Sequence, residues 1–498
     1  MASTPLSSVF DGLSPAVIWE HFATLCSIPR PSKGEAHLRD HLRTWAEARG
    51  LATTVDAAGN LIVRKRASAG REAAPGVVLQ SHLDMVCQAN ADTPHDFTRD
   101  PIVPVLRDGW LVADGTTLGA DNGIGVALIL AVLEDKDMVH GPLEALFTVD
   151  EECGMGGARG LDPHVLQGRR LLNLDTEEWG QFYLGCAGGV DVNVRRSGHP
   201  ETPPENFTSL RIDVRGLRGG HSGVNIHEGR GSAIKLLVRV LRELEKRWPF
   251  RLSTLQGGTA RNALAREASA VLALPGEAEA GLGDLLAGLQ AAFRSELAGV
   301  DENVMVSFAT SEISNVMAAT EQALWLASLH AAPQGVRRMS VRVPGVVETS
   351  NNLGIVDLKP EAGACNFMVR SLVDSAGVEL ANEIVSLFAL SGTVAEQSGH
   401  YPGWAPNPGS PLLSLCQAVY REAFGSESTT QVIHAGLECG IIGGKYPGMD
   451  MVSFGPTICG AHAPGESVEI QSVARCWQLL RAILTACATG SPPEPVCR

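Results

Sequence analysis

The chain is 498 residues long, 44% hydrophobic and 19% charged, with a formal net charge of -15. This length exceeds one ordinary compact core, so we expect two folded domains. The composition is typical of a globular protein and excludes a largely disordered chain. The excess of negative charge argues against nucleic acid and against an anionic membrane as partners, because both would repel the protein.

The N-terminal segment and the cysteines favour a cytoplasmic protein. Residues 1–22 lack the basic start and the unbroken apolar stretch of a secretory signal. The sequence contains no apolar run of the roughly eighteen residues that a membrane-spanning helix needs. The eleven cysteines form no C-x-x-C pair, which suits a reducing compartment. A catalytic thiol stays open as an alternative because four cysteines lie near the motifs described below: Cys87, Cys153, Cys439 and Cys459.

The first 185 residues alternate short apolar runs with a helical pattern. Residues 76–80, 143–149 and 170–174 each predict a buried strand, and residues 122–133 predict a helix that is buried nearly all round. Strand and helix in this order indicate a mostly parallel sheet flanked by helices. Ligands of such α/β domains bind beyond the carboxyl ends of the strands, so functional residues are expected directly after them.

The rest of the chain predicts an inserted α+β lid domain followed by a return to the first domain. The lid signals are a glycine cluster near residue 188, strands at 210–214, 339–343 and 367–370, a helix at 232–248, and a surface helix within 276–298. Residues 400–410 predict the return linker, followed by a helix at 412–424, a strand at 451–454 and a helix at 473–486. We therefore predict a catalytic domain at 1–187 and 401–498 and a lid at 188–400. The last eight residues carry no motif.

His82 and Asp84 follow the first predicted buried strand, in SHLDMV. Residues two apart on an extended chain point the same way, so both side chains can address one point. Imidazole is a good zinc ligand, and a neighbouring carboxylate commonly orients it through the other ring nitrogen. A satisfied polar pair without a ligand is the alternative interpretation.

Four further acidic positions lie at helix entrances or strand ends. Asp121 stands at the start of the buried helix, where it could cap the helix or bridge two cations. Glu151 and Glu152 follow the second strand within three consecutive acids, which would repel one another unless cations lie between them; a solvated acidic turn is the alternative. Asp175 ends the third strand, in LLNLDTEE.

A second histidine, His462, lies in a loop rich in glycine and proline near the end of the chain. Two histidines with three or four carboxylates suit zinc, with manganese or cobalt as substitutes. The five candidate ligands exceed what one catalytic zinc needs. Two metals about 3.5–4 Å apart that share a carboxylate would use all five.

The motifs SHLDMV, LGADNGIGVA, VDEECGMGGA, LNLDTEE and GAHAPGE resemble, in order and spacing, those of the M20 metallopeptidases. The resemblance covers nearly the whole chain and is closest to the aminoacyl-histidine dipeptidase branch, also called Xaa-His dipeptidase, peptidase D or carnosinase-like. It implies that His82 and Asp175 bind one zinc, that Glu152 and His462 bind the other, and that Asp121 bridges them. It also implies that Asp84 orients His82 and that Glu151 is the general base.

The same resemblance assigns roles in the predicted lid and beyond it. In GLRGGHSGVNIHEGRG, His221 would stabilise the oxyanion when the lid closes, although without the family a turn residue would be favoured. Asn262 and Arg370 resemble positions that hold the substrate carboxylate, for which the planar fork of arginine is apt; a surface ion pair is the alternative for Arg370. His434 and Glu438, in HAGLECG, would line the pocket.

The resemblance implies a two-zinc metallopeptidase that hydrolyses dipeptides with free ends, including Xaa-His dipeptides such as β-alanyl-histidine. A metal-bridging hydroxide would attack the peptide carbonyl. An aminoacylase or carboxypeptidase-like amidohydrolase with the same metals is the first alternative, and a catalytically silent metal- or peptide-binding protein is the second. The expected partner is a small dipeptide. Homodimers occur in the wider family, but an enlarged lid can replace the partner, so a homodimer is one of two alternatives.

Overall fold

A computed structural model describes residues 9–90 and 92–490. The terminal segments, including the motif-free tail and the start of the segment searched for a secretory signal, lie outside the described residues. The α-helices are α1 (Ala16–Ser27), α2 (Ala36–Glu47), α3 (Ala120–Glu134), α4 (Glu151–Gly154), α5 (Gly156–Gly160), α6 (Ala233–Glu245), α7 (Glu279–Glu296), α8 (Ala319–Ala331), α9 (Asp374–Leu390), α10 (Pro411–Phe424), α11 (Glu438–Lys445) and α12 (Ile470–Thr489).

The strands alternate with these helices along most of the chain. They are β1 (Ala52–Val55), β2 (Leu61–Lys65), β3 (Val77–His82), β4 (Pro104–Arg107), β5 (Trp110–Ala113), β6 (Leu143–Thr148), β7 (Arg170–Asn173), β8 (Gln181–Cys186), β9 (Gly188–Ser197), β10 (Pro200–Glu201), β11 (Phe207–Arg215), β12 (Arg251–Gly257), β13 (Ala268–Pro275), β14 (Met305–Thr310), β15 (Val316–Met317), β16 (Gly335–Met339), β17 (Val347–Leu358), β18 (Ala362–Ser371), β19 (Val394–Tyr401), β20 (Thr429–Ile433), β21 (Asp450–Ser453), β22 (Ile458–Cys459) and β23 (Ser467–Glu469).

The contacts divide the chain into two compact units. The first comprises the described residues up to Gly185, with Pro406–Val432 and those from Leu437 onward; the second comprises Cys186–Ala405 with Ile433–Gly436. The predicted boundaries at 187 and 400 lie near these divisions. The short return of residues 433–436 to the second unit was not predicted.

The first unit is built on an eight-stranded sheet in the order β1-β2-β6-β3-β7-β21-β8-β20. Strands β6, β3, β7 and β21 are parallel to their neighbours within this group, while β2 and β8 add to it antiparallel. Every residue of β3 and β6 is buried, as continuous apolar runs in a parallel sheet predict. Helix α3 packs on β3 and is buried all round along its apolar stretch. The predicted α/β fold with a mostly parallel centre is confirmed.

The second unit is built on an antiparallel sheet in the order β14-β11-β13-β12-β17-β18-β9-β19, with β16 paired to β17. Helices α6, α7, α8 and α9 pack on its strands. Leu237, Leu241 and Leu244 of α6 are fully buried in a continuous hydrophobic core with residues of these strands, as the amphipathic pattern predicts. This unit is the α+β domain that the sequence predicts as an insertion.

One predicted strand of the second unit is displaced. The sequence pattern favours residues 339–343, whereas β16 ends at Met339 and its pairing with β17 ends there. Pro344 cannot donate to a ladder, and Gly345 has a φ of +80° that turns the chain. The side chain of Val341 is accordingly 78% exposed.

Within the described part of the chain, no helix is long and apolar enough to cross a membrane.

Candidate metal centre

His82 is the last residue of strand β3 and lies at the carboxyl edge of the parallel sheet, where its side chain is 1% exposed. Its Nδ1 lies 3.1 Å from the backbone oxygen of Asp84 and 3.4 Å from Asp84 Oδ1. The Asp84 carboxylate accepts hydrogen bonds from the backbone N–H groups of Glu151 and Glu152, at 3.0 and 3.1 Å, and from the Ser32 hydroxyl at 2.8 Å. Asp84 therefore joins the turn after β3 to the turn after β6.

The environment keeps Asp84 charged. Burial disfavours its ionisation, but hydrogen bonding to His82, the charge of His82 and hydrogen bonds from Ser32 and Glu151 lower the pKa of Asp84 to about 2. A carboxylate next to Nδ1 favours the proton on that nitrogen. In the neutral imidazole, the lone pair of Nε2 is then available to a cation.

Asp121 lies between two histidines. Gly119 occupies the N-cap position of α3, and Asp121 has the non-helical dihedrals φ -81° and ψ 110°. Its Oδ1 lies 3.2 Å from His82 Nε2, and its Oδ2 lies 3.2 Å from His462 Nε2. These two contacts favour the alternative in which the carboxylate bridges two cations.

Each histidine also meets a carboxylate of its own. His82 Nε2 lies 3.3 Å from Oδ1 of Asp175, which follows β7, and His462 Nε2 lies 3.1 Å from Oε2 of Glu152, which follows β6. The side chains of Asp175 and Glu152 are only 5% and 7% exposed. A solvated acidic turn is thus excluded for Glu152. The arrangement consists of two groups, each with one histidine and one carboxylate, that share Asp121.

The spacing of these atoms fits shared metal ions. Two ligand atoms that bind one zinc tetrahedrally at about 2.0–2.1 Å lie about 3.3 Å apart, and the four nitrogen–oxygen distances range from 3.1 to 3.3 Å. One ligand atom of each of His82, Asp121 and Glu152 lies within 4.8 Å of the other two. Glu152 Oε1 is buried and accepts no hydrogen bond. The donor set therefore fits the metal centre that the resemblance implies.

The charged groups of this cluster shift one another's pKa values. Burial, against the attraction of His82, and repulsion by Asp121 and Glu152 raise the pKa of Asp175 to about 7. Hydrogen bonds with Asp121 and Glu152 raise the pKa of His462 to about 11, although burial opposes this. Cation binding would relieve the repulsion among these carboxylates.

Glu151 differs from Glu152 in its contacts. Neither of its side-chain oxygens forms an ion pair with a histidine among the described residues. It opens α4 after Asp150, whose φ of +55° forms the sharp turn. Burial, against the attraction of His82, and repulsion by Glu152 and Asp175 raise the pKa of Glu151 well above its usual value. A carboxyl group with a raised pKa is suited to exchanging protons near neutral pH.

In the second unit, a buried guanidinium belongs to Arg370 on β18, which is 4% exposed. Arg370 donates to the Tyr401 hydroxyl at 3.0 Å and to Ser222 Oγ at 3.4 Å, and its Nη2 lies 3.4 Å from His221 Nε2. Among the described residues, no carboxylate forms an ion pair with Arg370. The alternative of a surface ion pair is therefore wrong, and the charge is available to an anion.

Both ring nitrogens of His221 lie within reach of hydrogen-bond donors. Its Nδ1 accepts hydrogen bonds from the backbone N–H groups of Gly223 and Val224, at 3.2 and 3.1 Å. Its Nε2 lies 3.4 Å from Nη2 of Arg370, which can only donate a hydrogen bond. A neutral imidazole carries one proton, so its two ring nitrogens cannot both accept, and only one of these two sets of contacts can form in a given tautomer.

The other predicted binding residues have different environments. Asn262 is exposed, and its backbone oxygen accepts the Ser222 N–H at 2.8 Å. His434, in the second unit, pairs through Nε2 with Ser350 Oγ at 2.8 Å. Burial and the nearby charges of Arg370 and His221 lower the pKa of His434 to about 3, so its imidazole is neutral.

Glu438 lies in the first unit at the start of α11 and is 0% exposed. Its Oε2 accepts hydrogen bonds from Gln80 Nε2 at 2.6 Å and from Thr148 Oγ1 at 2.5 Å. Burial raises the pKa of Glu438 to about 8. Direct contact of Glu438 with a substrate stays a prediction, whereas its support of β3 and β6 is observed.

Two buried charged residues near the metal centre, Glu466 and Arg30, were not singled out from the sequence. Glu466 ends the motif GAHAPGE, but nothing in its spacing indicates what it contacts; Arg30 belongs to no motif. Both contact the segment before Asp121.

The family model for peptidase family M20/M25/M40 matches residues 78–486. The chain therefore belongs to this family of peptidases, and the prediction from the five motifs is confirmed. The family match, together with the donor set, makes the cluster around Asp121 a metal-binding site candidate.

Three individual proteins are similar to this chain over most of its length. The chain is 44% identical over 478 residues to the cytosol non-specific dipeptidase of Escherichia coli K12, covering 96% of this chain and 99% of that protein. The crystal structure of aminoacylhistidine dipeptidase from Vibrio alginolyticus is similar with a TM-score of 0.84 and 42% identity, covering 98% of this chain and 99% of that one. The aminopeptidase PepT of Bacillus cereus, at 17% identity and a TM-score of 0.55, shares the fold.

Proposed function

We propose that this chain is a two-zinc dipeptidase that hydrolyses dipeptides with free amino and carboxyl ends, including Xaa-His dipeptides such as β-alanyl-histidine. The observation that carries the proposal is Asp121, whose two oxygens each lie 3.2 Å from a different histidine. The names of the Escherichia coli and Vibrio alginolyticus relatives support dipeptides as the substrate class.

In this proposal His82 and Asp175 hold one zinc, Glu152 and His462 hold the other, and Asp121 is shared. Co²⁺ or Mn²⁺ would substitute, because the same nitrogen and oxygen donors bind them. When bound, the metal ions supply Lewis acidity toward the peptide carbonyl and a nucleophile derived from water at neutral pH. The protein contributes the geometry, which Asp84 fixes by orienting His82.

Glu151 is the proposed general base. Its backbone is held by Asp84, and its carboxyl group is free of the histidine pairs that occupy Glu152. Glu151 would take the proton of the attacking water and deliver it to the nitrogen of the leaving amine. A raised carboxyl pKa suits both halves of this transfer.

Arg370, Asn262 and His221 are the proposed substrate-binding and oxyanion-stabilising residues. The fork of Arg370 would bind both oxygens of the substrate carboxylate, in place of the carboxylate partner that it otherwise lacks among described residues. His221 would stabilise the oxyanion by donating a hydrogen bond from its ring. His434 and Glu438 are proposed to line the pocket, His434 as a neutral imidazole.

Metal analysis of the purified protein, coupled to assays on a substrate panel, tests the proposal. The panel contains free dipeptides, the corresponding dipeptide amides and N-acyl amino acids. We expect two equivalents of metal and turnover of the free dipeptides. Turnover of the N-acyl amino acids alone would replace the proposal with an aminoacylase, and absence of bound metal after zinc reconstitution would contradict the metal centre.

We further propose a cytoplasmic location, supported by the name of the Escherichia coli relative and by the scattered cysteines. A homodimer stays a prediction from the family, which light scattering of the pure protein would test.

A further inference from the structure

Two buried side chains of opposite charge contact the peptide groups that lead into Asp121. Glu466 is 2% exposed and Arg30 is 3% exposed. Glu466 Oε2 accepts the N–H groups of Leu118 and Gly119, at 2.8 and 2.9 Å, and its Oε1 accepts the N–H of Asp121 itself at 3.1 Å. One carboxylate thus fixes three backbone amides beside the shared candidate ligand.

Arg30 holds the same segment from its carbonyl side. Its Nη2 donates to the backbone oxygen of Gly119, and its Nη1 donates to the backbone oxygens of Leu83 and Asp84, at 2.9 and 3.0 Å. The guanidinium therefore bridges the turn after β3, which follows His82, to the entrance of α3. Both ends of the Gly119 residue are held by charge, its N–H by Glu466 and its oxygen by Arg30.

Gly119 is required for this arrangement. It has a φ of +69°, and a Cβ at this position would collide with Arg30 Nη2 and Met85 Sδ. The close approach of the guanidinium thus depends on a residue without a side chain.

Glu466 also ties down the loop that carries His462, four residues earlier in the chain. The backbone oxygen of Glu466 accepts the Ala113 N–H at 3.1 Å, and the neighbouring Gly465 N–H donates to Thr116 at 3.0 Å. Glu466 therefore belongs to the His462 loop by sequence and contacts the Asp121 segment through its side chain.

We propose that Glu466 and Arg30 are positioning residues that set Asp121 between His82 and His462 and thereby determine metal affinity. The inference rests on the proposed metal centre. Hydrogen bonds to charged groups are stronger than neutral ones, and residues that orient metal ligands typically contribute about 10–100-fold to metal affinity or activity.

Glu466→Gln tests the carboxylate. The amide keeps the size of the side chain but removes its charge, and its NH₂ group would face backbone N–H donors. Competition with a chromophoric chelator should show the zinc dissociation constant rising by about 10–100-fold. The thermal midpoint of the metal-free protein, measured in parallel, reports the purely structural effect.

Glu144→Gln is the matched control. Glu144, on β6, is 6% exposed, accepts the backbone N–H groups of Gln167 and Gly168 at 2.7 and 2.8 Å, and pairs with Arg64 at 3.1 Å. Like Glu466→Gln, this variant removes a buried negative charge that accepts backbone N–H groups. Glu144 lies near the start of β6, whereas Thr148 ends that strand. We expect it to lower the midpoint of the metal-free protein while leaving zinc affinity unchanged.

Arg30→Lys is a second variant, because a lysine cannot reach all three carbonyl oxygens with one ammonium group. It should also weaken zinc binding, even if Glu466→Gln fails to fold. Zinc affinity equal to wild type in both variants would overturn the proposal, as would an equal loss of affinity in Glu144→Gln. A wild-type protein that binds no zinc would instead contradict the proposed metal centre.

Discussion

The two consecutive glutamates that follow β6, Glu151 and Glu152, differ in their contacts with histidine. Glu152 lies 3.1 Å from His462, whereas Glu151 has no such pair among the described histidines. Glu151→Gln should therefore lower kcat by about 10²–10⁴-fold, because a general base is lost while the candidate ligands stay in place. Steady-state assays on a free dipeptide, with metal content measured on the same sample, check this prediction.

Glu152→Gln provides the contrast, since it should lose bound metal as well as activity. Retained turnover in Glu151→Gln would remove the residue from the role of base. Loss of metal in Glu151→Gln would assign it to the centre instead.

Arg370 gives a second prediction at the scale of single residues. Arg370→Lys keeps a positive charge but cannot form the two-point contact with a carboxylate. Losing a hydrogen bond to a charged group costs about 1.5–3 kcal/mol, so KM for free dipeptides should rise by about 10–100-fold. Dipeptide amides, which lack the carboxylate, should be much less affected.

The matched control is Arg239→Lys, a change in an exposed arginine of the same unit that already pairs with Glu296. It should leave both substrates unaffected. Equal losses on dipeptides and on their amides would show that Arg370 acts on the fold and not on the carboxylate.

At this scale, four of the five candidate ligands could be predicted from local patterns because they closely follow an apolar strand or open an apolar helix, whereas His462 lies in a loop rich in glycine and proline. His82 and Asp121 are examples: their local patterns are strong, and the family motifs assign them. Arg30 and Glu466 could not be predicted. Their role depends on contacts across 89 and 347 residues of chain to Gly119, which no local pattern encodes.

Among the elements, a row of polar side chains crosses the otherwise apolar strands just before the candidate ligands. Asn173 Nδ2 on β7 donates to Gln80 Oε1 on β3 at 2.5 Å, and Ser453 on β21 hydrogen-bonds to Asn173. Gln80 and Thr148 in turn donate to Glu438. The row fixes the strands to one another and to α11 directly below the ends that carry His82 and Asp175.

Thr148→Val should destabilise the protein by about 1–3 kcal/mol, because it leaves a buried carboxyl oxygen with one donor fewer at nearly unchanged volume. Urea unfolding followed by circular dichroism measures the effect. Thr53→Val is the control: its hydroxyl donates to Glu47 in an exposed hydrogen bond, and the change should stay within about 0.5 kcal/mol. Equal effects of the two substitutions would argue against a supporting role of the row.

The elements themselves were predicted best where an apolar pattern is long. The predicted helix 122–133 corresponds to α3 (Ala120–Glu134), and the predicted strand 143–149 to β6 (Leu143–Thr148). The strand predicted at 339–343 was wrong because alternating valines continued past the end of the ladder into a turn formed by Pro344 and Gly345. Alternation alone cannot tell a paired strand from an extended loop.

Across the whole molecule, the first unit is assembled from distant segments of the chain. Strand β21 pairs with β7 in parallel although about 280 residues separate them, and His462 reaches Asp121 across 341 residues. The second unit, by contrast, is nearly continuous and has a hydrophobic core within residues 190–388. Such an insertion is tolerated because the cost of loop closure grows slowly with the length of the inserted chain.

This assembly predicts how metal removal affects stability. A metal that binds only the folded state stabilises it by about 2.7 kcal/mol at 100 times its dissociation constant. Chelation should therefore lower the thermal midpoint by roughly 5–10 °C, given about 2–4 °C per kcal/mol for a domain of this size. Scanning calorimetry with and without EDTA measures the shift. Asp121→Asn should lose most of this shift because its side chain lies between both histidines, whereas Glu151→Gln should retain it; equal midpoints of the wild type with and without EDTA would contradict metal binding to the folded first unit.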